Sequence, residues 1–321
     1  MPRLTKLDDV MFPVEEHPVF VNVRSKTGDR NLPVNDKKAL VNVRNSRVLG
    51  VVSRGYRLVT NRMALDWASQ CCCLAFPETK PGEWEVIASD APATGSYCHI
   101  DLKHNSTALD FSLVSPQNRP DAFGPFVRVT NSYNGLRALT FDIGFFRKVC
   151  KNGLVMPDTI IRFRYNHLTR DIGKQIVFEI DHKKLSEVKN VFNKYMDILR
   201  EYPVPQPYFL PLLQGVLCIR EPKNITKNKQ TADAWKALSD HLSAVCHQYV
   251  QELGENAYSA FNAITDFASH PPVNHCIYRD CHSYQRLAGV WLTEFHEECR
   301  KADFRLSDYL VKFAGSDEKR N

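Results

Sequence analysis

The chain lacks the marks of a membrane, secreted or fibrous protein. No apolar run approaches the roughly 18 residues that span a bilayer. The opening residues, MPRLTKLDDVMFPVEEHP, carry neither the apolar stretch nor the cleavage site of a secretory leader. Glycine and proline, 14 and 18 of 321 residues, are too sparse for a fibrous or low-complexity chain, and no segment repeats at a fixed period. The signatures G-x-x-x-x-G-K-[ST], G-x-G-x-x-G, H-E-x-x-H and G-x-S-x-G are all missing, which excludes the commonest nucleotide, dinucleotide, zinc-protease and hydrolase sites. The expectation is a cytoplasmic, non-membrane protein with no cofactor.

What is present is an ordinary globular composition, 43% hydrophobic and 24% charged, in a chain long enough for two modest domains. Of ten cysteines three are consecutive, Cys71, Cys72 and Cys73. A disulfide framework belongs to short secreted chains, so these read as small buried hydrophobes with free thiols.

The net charge of +6 is modest, but it is unevenly spread. Residues 20–62 hold ten bases against two acids and residues 121–175 nine against four, while residues 63–120 hold three bases against seven acids. Two basic blocks flank an acidic insert. Brought together, they would form a footprint for a polyanion, because each neutralised phosphate releases counterions. The competing reading is solvated strand edges, where Lys and Arg discourage aggregation.

Hydrophobic periodicity divides the chain. VFVNVR, ALVNVR, VLGVVS, WEVIAS, YCHIDLK and LDFSLV alternate with period two and predict strands, interrupted by one helix from Thr60 with Met63, Trp67, Cys71 and Leu74 on a stripe. In FGPFVRVTNSYNGLRALTFDIGFFRKVCKNGLVMP, Val127/Val129 and Leu139/Phe141/Ile143 flank an Asn134-Gly135 turn. A three-residue loop, Tyr133 to Gly135, sets Val129 against Leu139 and needs a left-handed residue, which Gly135 supplies. FFRKVCKNG then predicts a short helical turn ending at Gly153, and Ile161, Phe163 and Tyr165 alternate with Arg162 and Arg164 on a further strand. From His182 the period changes to helical, with Leu185, Phe192, Met196 and Leu199 on one face. PVPQP then reads as a hinge, and three more helices begin near Thr231, Asn256 and Ser283. The fold class predicted is α+β: an antiparallel sheet domain over residues 1–175 and a helical domain over 176–321.

Catalytic groupings are thin. His270, His275, Cys276, Cys281 and His282 gather potential zinc ligands, but without Cys-x-x-Cys or a helical His pair, so no metal site is assigned. Cys150 beside Arg147, Lys148 and Lys151 has the cations that favour thiolate, yet a buried cysteine is the simpler reading. Cations and rings recur together at Arg128, Tyr133, Arg137, Phe145, Phe146, Arg147, Lys148, Lys151, Arg162 and Arg164. Single strands bind such surfaces when bases stack on exposed rings and phosphates meet Arg and Lys. Phe145 and Phe146 read as core. The expected nucleic-acid-binding set is therefore Arg128, Tyr133, Arg137, Arg147, Lys148, Lys151, Arg162 and Arg164, with Tyr133 as the stacking ring.

Three segments, TNSYNGLRALTFDIGFFRKVCKNGLV, RVLGVVSRGYRLVTNRMALDW and AYSAFNAITDFASH, resemble a phage- and plasmid-borne family, the phage/plasmid-like proteins described as domain of unknown function 932. The resemblance implies mobile genetic elements and a bacterial cytoplasm, and it brings no activity and no catalytic residues. Together with the charge pattern it leads to the expectation of a non-enzymatic nucleic-acid-binding protein acting in replication, recombination or annealing, single strands favoured, with an oligomer allowed. The alternatives are a module that binds a host protein, such as a defence factor, and an enzyme with an unrecognised metal or thiol site.

Overall fold

The computed structural model describes residues 3–24, 28–76, 79–105, 111–114, 120–147, 152–155, 162–168 and 182–315. The fold is α+β, with antiparallel sheets in the N-terminal half and helices in the C-terminal half. The chain divides into two compact units, residues 1–109, 125–143 and 161–185 in the first and 110–124, 144–160 and 186–321 in the second. The expected boundary at residues 175 and 176 lies outside the described residues.

The first unit opens with β1 (Arg3–Leu4) and α1 (Leu7–Val10), followed by β2 (Val14–Val23), β3 (Arg30–Asn42), β4 (Arg47–Ser53) and α2 (Asn61–Ala75). Next come β5 (Trp84–Pro92) and β6 (Tyr97–His104); β7 (Phe111–Val114) belongs to the second unit, and β8 (Pro120–Ser132) and β9 (Leu139–Arg147) contribute residues to both. β10 (Asn152–Val155) lies in the second unit and β11 (Arg162–Tyr165) in the first.

Two sheets build the first unit. β2, β3 and β4 form one; β1, β5, β6, β8 and β9 are neighbours in the other, with β11 on β9. Register explains the second. Ile100 faces Val129 and Leu102 faces Val127, putting four fully buried apolar side chains on one face, while Asp101 faces Arg128 on the opposite face. Beyond a register shift near Val19 the β2–β3 ribbon is open to solvent, and Phe20 is 54% exposed.

In α2 the Thr60 side chain accepts from Met63 N, as a helix cap should. The buried stripe is Ala64, Ala68, Cys71 and Cys72, so Met63 faces solvent instead of the core; both buried thiols are free and burial raises their pKa.

In the second unit Phe145 and Phe146 pair with Leu154 and Gly153 as β9 meets β10. The described ends of the segment expected to be a helical turn, residues 145–147 and 152–153, are paired strands, and residues 148–151 between them lie outside the described residues. Adjacent phenylalanines satisfy either period, and pairing with β10 decides between them. The helices are α3 (His182–Glu201), α4 (Phe209–Val216), α5 (Lys229–Leu253), α6 (Ala257–Ser269), α7 (Cys281–Glu298) and α8 (Leu306–Gly315). Asn228, Asn256 and Asp280 cap α5, α6 and α7 by accepting from Thr231, Ser259 and Ser283 N, so the first cap precedes the expected Thr231. The expected hinge is docked: Val204 is buried and its N–H bonds Glu255 O. α6 is buried almost all round, packed by α5 and α7. Its Asn262 and Thr265 side chains bond carbonyls of the same helix, which lets polar groups sit inside a core. Among the described residues, no helix is long and apolar enough to cross a membrane.

Candidate functional site

The β8–β9 connection in the first unit runs from Tyr133 to Ala138, six residues where three were expected. Pairing stops at Ser132 because its hydroxyl takes over, donating to Arg137 O (2.8 Å) and accepting from Arg137 N (3.3 Å). Gly135 has φ +73°, the left-handed conformation foreseen for it. Asn134 Oδ1 accepts from Leu136 N and holds the turn.

β4 lies directly against this turn. A Cβ on Gly50 would stand 2.5 Å from Asn134 Cα and 2.6 Å from Tyr133 O, so only glycine permits the approach. Tyr56 Oη donates to Ser132 O (2.6 Å), and Tyr133 Oη accepts from Asn61 N (2.8 Å). Both phenols are buried, which raises their pKa, that of Tyr56 to about 12.

The chain after β11 closes the third side. Arg57 N donates to His167 O (2.6 Å), His167 Nδ1 lies 3.1 Å from Arg57 O, and the imidazole stacks on Tyr56 with centroids 4.5 Å apart and planes at 14°. A carbonyl can only accept, so Nδ1 carries the proton. Burial lowers the pKa of His167, which keeps the ring neutral. Its Nε2 is then a lone-pair acceptor, and no hydrogen-bond partner reaches it among the described residues.

These three segments line a cleft of about 370 Å³, walled by Val51 to Ser53 and Tyr56, by residues 134–138 and by residues 164–168. Arg137 and Arg164 both line it. The Arg137 guanidinium sits 4.2 Å over the Tyr97 ring, Arg164 is exposed, and neither has a carboxylate partner among the described residues. Lys37 lies opposite Ser53 in the ladder, and the exposed Arg54 and Arg57 follow lining residues in the chain. Residues from both basic blocks thus meet at one cleft, whose rim also carries the exposed apolar side chains of Val51, Leu136 and Leu168.

Two expected binding residues are elsewhere employed. Arg128 is 5% exposed and forms a bidentate pair with Asp101, both hydrogen bonds 2.6 Å. A guanidinium so held is not available to phosphate. Tyr133 is 0% exposed in a core with Phe12, Leu40, Leu49, Val52 and Tyr56, so it stacks on no base. Arg147 ends β9 and Arg162 lies opposite Asp142 in the β9–β11 ladder; Lys148, Lys151 and Cys150 fall outside the described residues. Sequence reasoning gave no role to His167, Ser53, Arg54 or Arg57, although the last three lie inside a quoted motif and His167 follows the Arg164 strand. The described residues hold no group of three or more His, Cys, Asp or Glu able to bind a metal; His270 Nδ1 instead meets Asp266 at 3.1 Å.

Tyr133→Phe tests the correction. Losing the acceptor for Asn61 N should cost about 1–2 kcal/mol by urea denaturation. Oligonucleotide affinity should stay unchanged, and a loss of affinity at constant stability would restore the ring to the binding surface.

The family model described as Domain of unknown function (DUF932) matches residues 48–291. That span begins on β4 and takes in all three walls of the cleft. No curated protein and no solved structure matches the chain.

Proposed function

On the premise that this chain belongs to the family described as Domain of unknown function (DUF932), which matches most of its length, we propose a non-enzymatic nucleic-acid-binding protein that holds a single strand at the cleft of the first unit. Its setting in this reading is replication, recombination or annealing on a phage or plasmid.

The observation that carries the reading is the meeting of Arg137 and Arg164, from different strands, at one concavity with no carboxylate to neutralise them among the described residues. Lys37, Arg54 and Arg57 add charge beside it. A phosphate chain is the polyanion that such spaced cations suit. The buried thiols of Cys71, Cys72 and Cys98 have raised pKa, opposite to what an attacking thiolate needs.

Anisotropy of a labelled single-stranded oligonucleotide tests this. Binding should be tight at low salt, with log affinity falling against log salt at a slope of about −3 for four or five neutralised phosphates. No detectable binding at low salt would end the reading.

A host-protein partner is the second reading, favoured by the apolar side chains of Phe20, Val21, Val23 and Leu32, exposed on the β2–β3 ribbon. A complex that survives nuclease and is lost on Phe20→Glu would favour it.

A further inference from the structure

The rim of the cleft carries apolar groups that a bare polyanion would leave in water. Leu136 is 83% exposed, Leu168 57% and Val51 53%, and all three line the same concavity as Arg137 and Arg164. Single exposed apolar side chains are ordinary on a protein surface, whereas three gathered at one cleft beside two cations mark a contact surface. The two leucines project from anchored backbone. Asn134 Oδ1 accepts from Leu136 N and Asn166 Oδ1 from Leu168 N, each at 3.1 Å. Next to Leu136, the N–H and carbonyl of Arg137 are both held by the Ser132 hydroxyl; next to Leu168, His167 is bonded to Arg57 through its carbonyl and its ring. A ligand therefore meets these side chains with little backbone left to order, which favours binding.

A ligand that completes this surface needs an apolar face for the leucines and an anion for Arg137 and Arg164, neither of which has a carboxylate partner among the described residues. An unpaired nucleotide has both. Aliphatic side chains are established partners for bases outside the stack, packing on the face of a base or wedging between two of them. In a duplex each base face is already covered by its neighbours, so a duplex offers this cleft only its phosphates. The concavity, about 370 Å³, lies near the lower end of the roughly 300–1,000 Å³ typical of ligand pockets, a size that suits one nucleotide.

We infer that Leu136 and Leu168 pack on the face of an unpaired base while the adjoining phosphates lie against Arg137 and Arg164; this rests on the nucleic-acid reading above and adds which way the strand lies, bases toward the cleft. The leucines are thus the groups that separate single strands from duplex. Duplex DNA engages only the cations.

The probe is a short fluorescein-labelled oligothymidylate, compared with an oligomer of the same length whose sugars are all abasic, which removes every base face and keeps every phosphate. The full-length protein should bind the abasic strand about tenfold more weakly, the effect of losing one stacked base, with the same salt slope for both strands. The double variant Leu136→Ser with Leu168→Ser should bind oligothymidylate about tenfold more weakly than the unmodified protein and no longer tell the two strands apart. Equal binding of the two strands by the unmodified protein, with salt dependence intact, would overturn the inference and leave the nucleic-acid reading standing. Failure to bind either strand at low salt would remove both. A double variant with unchanged oligothymidylate affinity that instead loses a nuclease-resistant protein complex would give the rim to a protein, and would also overturn the inference. Should the double variant not fold, the methyl spectrum of the unmodified protein decides. An upfield ring-current shift of the Leu136 and Leu168 methyl resonances with oligothymidylate, and none with the abasic strand, is the expected result, and unmoved resonances in both cases would overturn the inference.

Discussion

Gly50→Ala is expected to destabilise the protein by at least about 3 kcal/mol, at the upper end of what overpacking costs. The reason is what the new methyl group meets. Both nearest atoms, Asn134 Cα and Tyr133 O, belong to backbone, at 2.5 and 2.6 Å, and neither has a flexible end that can swing aside. The turn cannot retreat as a body, because Tyr56 holds Ser132 O, Asn61 N holds the Tyr133 hydroxyl, and the Tyr133 ring is packed in the core. Gly82→Ala is the matched control. Nothing lies within 4 Å of a Cβ there, and its cost should stay within about 0.5 kcal/mol. Urea midpoints at unchanged slope report the comparison. A Gly50→Ala protein as stable as the control would mean that β4 does not rest on the turn, and the cleft would lose one of its walls.

Alternation makes the strands legible, and helical spacing with Asn and Asp caps makes the C-terminal helices legible. What alternation does not disclose is whether the second face of a strand is covered. In β8 and β9 it is: Thr130, Asn131, Ser132, Thr140 and Asp142 are buried along with the apolar set. A polar residue on such a strand, which period two assigns to solvent, instead needs a partner inside. Arg128 finds Asp101, His99 Nδ1 meets Thr130 Oγ1 at 2.8 Å, and Asn131 Nδ2 donates to Val59 O and Asn61 Oδ1. Those partners stand 27 to 72 residues away and are set by ladder register and by the return of the loop before α2. No local pattern contains them.

The site is half legible for the same reason. Arg137 and Arg164 stand out in the sequence as cations near rings, and they do share the cleft. A turn position assigns Tyr133 to the surface, because side chains in turns usually face water. Gly50 instead allows β4 to approach the backbone of that turn closely, and the ring belongs to the core. His167 carries no signal in the sequence. A single histidine after a strand gains meaning only once Tyr56 and Arg57 are seen against it.

Reversing both cleft arginines, Arg137→Glu with Arg164→Glu, should have the largest effect on binding. Each change removes an attraction to phosphate and adds a repulsion, and each phosphate no longer held makes the single-strand salt slope shallower by about 0.7. Neither side chain gives up an ion pair among the described residues, and the loss of the Arg137 contact over Tyr97 should cost no more than about 1 kcal/mol of stability. Arg286→Glu, an exposed charge on α7 of the second unit, controls for net charge. The measurement is the anisotropy titration of single-stranded oligonucleotide against these proteins at low and rising salt. An affinity about a hundredfold lower for the double variant, with a salt slope shallower by about 1.4 and an Arg286→Glu protein within about threefold of the original, is the result predicted. A double variant that binds as the original does, or no better and no worse than Arg286→Glu, would contradict it.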